Sequence, residues 1–67
     1  MRYYVNKTAQ PTGEHEVHTE DCPYVPKYDN RIYLGDFTSC QIPMIEAKEY
    51  YPNVDGCYYC CRDCHTR

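Results

Sequence analysis

Ten residues near the end of the chain, Gly56-Cys57-Tyr58-Tyr59-Cys60-Cys61-Arg62-Asp63-Cys64-His65, hold four of its six cysteines and one of its three histidines. No other stretch limits the possible folds as tightly. Cys57 and Cys60 form a C-x-x-C pair, a spacing that lets two thiolates converge on one zinc ion from a tight turn and leaves two coordination positions to be filled from elsewhere. The best upstream candidates lie in Val17-His18-Thr19-Glu20-Asp21-Cys22, where His18 and Cys22 are close enough in sequence for a turn to bring imidazole and thiolate to the same ion. Cys61, next to Cys60, leaves the fourth ligand open by one residue.

The chain needs such a site. At 67 residues it reads as a single domain, 1–67. A chain of this size buries only about 60% of its unfolded surface, so a metal, disulfides or a partner must supplement the core. Val, Ile, Leu and Phe occupy only Val5, Val17, Val25, Ile32, Leu34, Phe37, Ile42, Ile45 and Val54, so the 9 tyrosines must supply much of the packing area.

Six cysteines can also mean disulfides, and the compartment usually decides. The N-terminal Met1-Arg2-Tyr3-Tyr4-Val5-Asn6-Lys7 has no apolar h-region, and no run approaches the ~20 apolar residues of a membrane span. A reducing cytoplasm, and with it metal rather than disulfide, is therefore expected; a secreted, disulfide-stapled mini-protein is the alternative. The formal net charge is −3, with Lys and Arg scattered singly, so strong nucleic-acid binding is not expected.

The order of elements predicts a small α+β domain. Residues 2–6, Arg-Tyr-Tyr-Val-Asn, are aromatic and β-branched and read as a strand. Pro11 and Gly13 mark a turn, and the alternating Glu14-His15-Glu16-Val17-His18 suits the antiparallel partner, with His15 and His18 on opposite faces. Pro23 and Pro26 keep the chain after Cys22 extended. Arg31-Ile32-Tyr33-Leu34-Gly35 reads as a short third strand. Cys40, Met44, Ala47 and Tyr51 then recur at helical spacing, predicting one helix over about 42–51 with Pro43 in its first turn and Pro52 beyond its end. Cys40, on the apolar face, is expected to be a buried free thiol. A C-terminal C-x-x-C turn and short helix complete the fold.

This order resembles the small zinc-binding domain at the N-terminus of Ada-type DNA methylphosphotriester repair proteins, together with short uncharacterised bacterial zinc-binding proteins. The likeness covers about residues 14–61 and rests on His18-Thr19-Glu20-Asp21-Cys22, the strand between Asn30 and Phe37, and Asp55-Gly56-Cys57-Tyr58-Tyr59-Cys60. It implies one tetrahedral zinc held by His18, Cys22, Cys57 and Cys60. The chain departs from the repair domain at His18, which stands where that family carries its methyl-accepting cysteine, and it lacks a basic DNA-contacting surface. The resemblance therefore implies fold and metal, not repair.

Were residues 57–65 helical, Cys57, Cys60, Cys61 and Cys64 would share one face, but Cys57 and Cys64 would lie roughly 10 Å apart along the axis, too far for one zinc. Cys61, Cys64, Cys40 and His65 are thus left to a second metal site, a disulfide or free thiols. A closed four-ligand site leaves no position for substrate, so no enzymatic role is expected. A zinc-held protein-binding module is the expected function, with another protein as partner and exposed tyrosines as contact material. Thiol redox or metal handling by the C-terminal cysteines is the alternative from a different class.

Overall fold

The computed structural model describes all 67 residues and has the α+β character expected. Strands β1 (Arg2–Asn6) and β2 (His15–Thr19) form the antiparallel hairpin, with Tyr3 opposite Thr19, Tyr4 opposite His18 and Val5 opposite Val17. β3 (Arg31–Asp36) pairs antiparallel with β1, not with β2, so the sheet order is β3-β1-β2-β4. The fourth strand, β4 (Val54–Gly56), lies in a stretch where no strand is expected from the sequence. It runs parallel to β2, because the intervening β3 and helix carry the chain across the sheet before it returns.

The helix α1 is shorter than expected: it spans Gln41–Ala47, not 42–51. Beyond Ala47 the ladder tightens into turns in which Glu49 N–H donates to Glu46 O and Tyr50 N–H to Ala47 O. This is how a helix end satisfies its last carbonyls, and Pro52 forbids continuation. The expected apolar face survives: Cys40 and Ala47 are buried, while Met44 and Tyr51 pack against the same cluster. The tail is not a regular helix either. Residues 58–60 turn, and Arg62–Cys64 forms a single 3-10 turn.

Strand alternation separates two faces. Tyr3, Val5, Val17 and Leu34 point to the side covered by α1 and form the core with Cys40, Ala47 and Cys61. Tyr4, His18, Arg31 and Tyr33 occupy the alternate positions. Only 15 of 67 residues are buried, too few for a core that stands alone. Two features of the tail compensate in part. Gly56 lets the last turn approach closely: a Cβ there would lie 2.6 Å from Cys61 O and 2.8 Å from Cys64 Cβ. Asp55, buried beneath that turn, accepts from the Thr66 amide at 2.8 Å and its hydroxyl at 2.9 Å.

The expectation of a free thiol at Cys40 is corrected. Cys40 and Cys64 form a disulfide that ties the start of α1 to the tail across a sequence separation of 24. Apolar burial made Cys40 look like a small hydrophobe, but the Gly56 approach brings Cys64 against the same cluster. Closing a loop of that size removes about 3.5 kcal/mol of unfolded-chain entropy. Cys64→Ser should therefore lower stability by about 3 kcal/mol under non-reducing conditions and by little once a reductant is present. A thiol titration of the unfolded, metal-stripped, unreduced chain checks the pairing: the four cysteines Cys22, Cys57, Cys60 and Cys61 should react.

Candidate metal centre

His18, Cys22, Cys57 and Cys60 come together, and all four ligand atoms lie within 4.8 Å of one another. Two sulfurs bound to a tetrahedral zinc at about 2.3 Å sit roughly 3.8 Å apart. Cys22 Sγ and Cys57 Sγ are 3.9 Å apart, and Cys60 Sγ lies 3.9 Å from His18 Nδ1. The donor set, three sulfurs and one imidazole nitrogen, could hold a metal ion without any further ligand.

Two segments place the four side chains, β2 with the turn that follows it and β4 with the turn that follows it. β2 carries His18 on the face away from α1, fully buried, and the Cys22 amide closes a turn by donating to Thr19 O at 3.2 Å. β4 and Gly56 deliver Cys57, whose carbonyl accepts from the Cys61 amide at 2.9 Å and so closes the turn that turns Cys60 inward. Backbone N–H groups aim at the sulfurs: Tyr24 donates to Cys22 Sγ at 3.4 Å, Thr19 to Cys60 Sγ at 3.3 Å, and the amides of Tyr59 and Cys60 to Cys57. Such bonds favour a thiolate over a thiol and fix where it points.

Burial opposes them in the metal-free protein. Desolvation, partly relieved by the amides, pushes the Cys57 thiol up to about 12 and raises Cys22 as well. Cys60 rises through its contact with the neighbouring Cys61 thiol and then through burial. Burial alone lowers His18 to about 4, so its imidazole is neutral near pH 7. A neutral imidazole is the form that binds a metal, and thiols of raised pKa give up protons only to a cation that replaces them.

The remaining candidates are elsewhere. His15 stacks on Tyr51 with ring centroids 3.6 Å apart, and its Nδ1 donates to Asn6 O at 2.8 Å, on the face opposite His18 as the strand period requires. Cys61 lies 3.9 Å from Cys60 Sγ but is buried in the core cluster, and of the two neighbours it is Cys60 whose sulfur falls among the other three candidate ligand atoms. His65 Nδ1 donates to Gly56 O at 2.9 Å, beside Asp55. None of the four left-over residues joins a second metal cluster, Cys40 and Cys64 being bound to each other.

One participant escaped the sequence reading. Glu16 Oε1 stands 3.7 Å from His18 Nε2, the buried nitrogen that has no hydrogen-bond partner, and accepts from Gln10 Nε2 at 2.8 Å. No hydrogen bond is made at that distance, but an imidazole that bound a metal through Nδ1 would carry its proton on Nε2, on the side of this carboxylate. The signal was present in the alternation, which puts Glu16 and His18 on one side of β2. No family model, curated protein or solved structure matches the chain.

Two outcomes follow from the ligand set. Cys22→Ser, Cys57→Ser, Cys60→Ser and His18→Ala should each abolish stoichiometric metal binding, whereas His15→Ala and Cys61→Ser should retain it; metal content and thermal melts of purified variants decide. Because the three ligand thiols are protonated near neutral pH and His18 is not, metal loading should release close to three protons and affinity should rise with pH. Calorimetry in buffers of different ionisation enthalpy counts them, and a count near two would remove a cysteine from the site.

Proposed function

We propose that this chain is a zinc-structured, non-catalytic protein-binding module. The observation that carries the reading is the convergence of His18, Cys22, Cys57 and Cys60 from two segments far apart in the chain onto one point. Three soft thiolates with one imidazole suit zinc far better than calcium or magnesium. Four protein donors close a tetrahedral site, leaving no position for a substrate or an activated water, which is the pattern of structural rather than catalytic zinc.

The resemblance to the Ada-type metal-binding domain supports the same ligand set. It does not bring the repair reaction with it, because His18 stands in the place of the methyl-accepting cysteine. With a formal charge of −3 before metal binding, the surface as a whole repels a polyanion. Tyr24, Tyr28, Tyr33, Tyr50 and Tyr59 are all more than half exposed, a supply of rigid amphipathic side chains suited to protein contacts. No helix is long and apolar enough to cross a membrane. We place the protein in the cytoplasm, where four free cysteines persist most readily, with the Cys40–Cys64 bond as the group whose state reports on the compartment.

A second reading, thiol redox or metal handling, draws support from Cys61, a buried free thiol 3.9 Å from the Cys60 sulfur. It makes the metal exchangeable instead of permanent.

The purified protein should carry one zinc per chain, and a strong chelator should unfold it, since metal binding worth about 10–16 kcal/mol in zinc-finger peptides exceeds the stability available to so small a core. Elemental analysis and circular dichroism measure both. A metal-free, reduced chain that stays folded overturns the structural role, and rapid zinc transfer to an acceptor with the fold intact favours metal handling.

A further inference from the structure

The sheet has an unpaired edge on β3, and the residues around it do not fit the rest of the surface. β3 is six residues long, bonds only to β1, and leaves its outer backbone groups without a strand partner. The opposite edge is the three-residue β4, tied down by the tail through Asp55.

Beside the open edge, on the face away from α1, lies an aromatic and cationic surface. Tyr4 and Tyr33 pack at 5.5 Å, and the Arg31 guanidinium lies 4.3 Å from the Tyr4 ring centroid and 5.7 Å from that of Tyr28. Tyr28 is 83% exposed and Tyr33 51%. These rings, with Lys7, Asp29 and Arg31, line a cavity of about 310 Å³, and Arg2 joins Tyr4, Tyr28 and Tyr33 around an adjoining one of about 280 Å³.

The cations here lack close ion-pair partners, and Lys7 and Arg31 bond instead to backbone carbonyls, Lys7 Nζ donating to Asp29 O at 3.2 Å. Neither Arg31 nor Lys7 has an ion-pair partner, and Arg2 reaches Glu20 only at 4.0 Å. Arg31 Nη1 makes one bond, to Pro26 O at 3.4 Å, and its Nε is buried with no acceptor. The enclosed Nε is closed to a ligand, but Nη2 makes no hydrogen bond and is not enclosed, and a carboxylate is the group whose geometry suits that free end of the guanidinium.

Resting on the protein-binding reading above, we propose that an extended acidic peptide segment of a partner protein adds to β3 as a fifth strand. Backbone pairing along residues 31–33, ahead of the bulge at Leu34 and Gly35, supplies the docking, and the period-two alternation of the added strand lays every second side chain over the tyrosine surface. One of these is an Asp or Glu that meets Arg31, and a neighbour two residues away is aromatic or branched and covers Tyr28 and Tyr33. A local cluster of cations on a chain of net charge −3 selects a short acidic segment over a polyanion, which the rest of the surface repels.

Selection of a displayed random dodecapeptide library against the metal-loaded protein, followed by amide chemical-shift mapping with the selected peptides, tests this. The expected peptides alternate Asp or Glu with aromatic or β-branched residues and shift the amides of residues 31–33 most. N-methylation at alternate peptide positions should abolish binding in one phase and spare it in the other, as a strand ladder requires. Arg31→Ala should raise Kd roughly tenfold or more. Tyr28→Ala, at an exposed site whose loss leaves the fold unchanged in the same spectra, should weaken binding too. Selected peptides that lack acidic residues, or whose shifts fall around Tyr24, Tyr58 and Tyr59, overturn this surface while leaving the binding-module reading intact. Tighter binding of oligothymidylate than of any selected peptide overturns the choice of partner, and a selection that enriches nothing overturns both readings.

Discussion

Everything in this molecule depends on burying together four side chains that could hold a metal ion, in a domain that has little else to bury. His18, Cys22 and Cys57 are almost fully enclosed, and Cys60 is partly so. In the metal-free protein this enclosure is unfavourable: the imidazole is held neutral, the thiols are held protonated, and His18 Nε2 has no hydrogen-bond partner. A cation at the centre of the four side chains would reverse each of these costs. It would replace the thiol protons, draw on the amide bonds already aimed at the sulfurs, and tie the end of β2 to the turn after β4.

The sheet divides the work between its faces. On one side α1 covers a cluster built from Tyr3, Val5, Val17, Leu34 and Ala47, stapled at its rim by Cys40–Cys64. On the other side there is no second layer. That face carries the metal centre at β2 and a tyrosine and arginine surface at β1 and β3, with Tyr4 directly opposite His18 in the register. The two histidines of β2 show the division within one strand: His18 faces the ligand cluster, and His15, three residues earlier, stacks on Tyr51 beyond the end of α1.

The tyrosines reconcile a small apolar inventory with a folded domain. Tyr3 is a core residue, and Tyr51 is packed against the core and His15. Tyr24 and Tyr59 stack at 4.5 Å between the two cysteine turns, and Tyr58 holds Arg62 over its ring at 4.3 Å. A ring with a hydroxyl tip can sit at the boundary between protein and water where a leucine would leave apolar surface exposed. That property lets one side chain serve both the packing of a thin domain and the contacts it offers outward.

The sequence by itself determined whatever depends on local spacing. C-x-x-C and His-x-x-x-Cys fix how far apart ligands can fall within a turn, the alternation around Val17 sets which histidine faces which way, and the recurrence of Cys40, Met44, Ala47 and Tyr51 marks the buried side of the helix. Tertiary structure alone decided the relations between distant segments. The parallel pairing of β4 with β2, the Cys40–Cys64 bond, the choice of Cys60 over Cys61 and the approach of Glu16 to His18 all depend on how the chain crosses the sheet before returning. Adjacent cysteines have the same chemistry in sequence; they acquire different roles only when the turn sends Cys60 toward the other ligands and Cys61 into the core. Spacing constrains neighbours along the chain, but the direction of a side chain relative to a segment some forty residues away is set by packing, which a linear pattern does not contain.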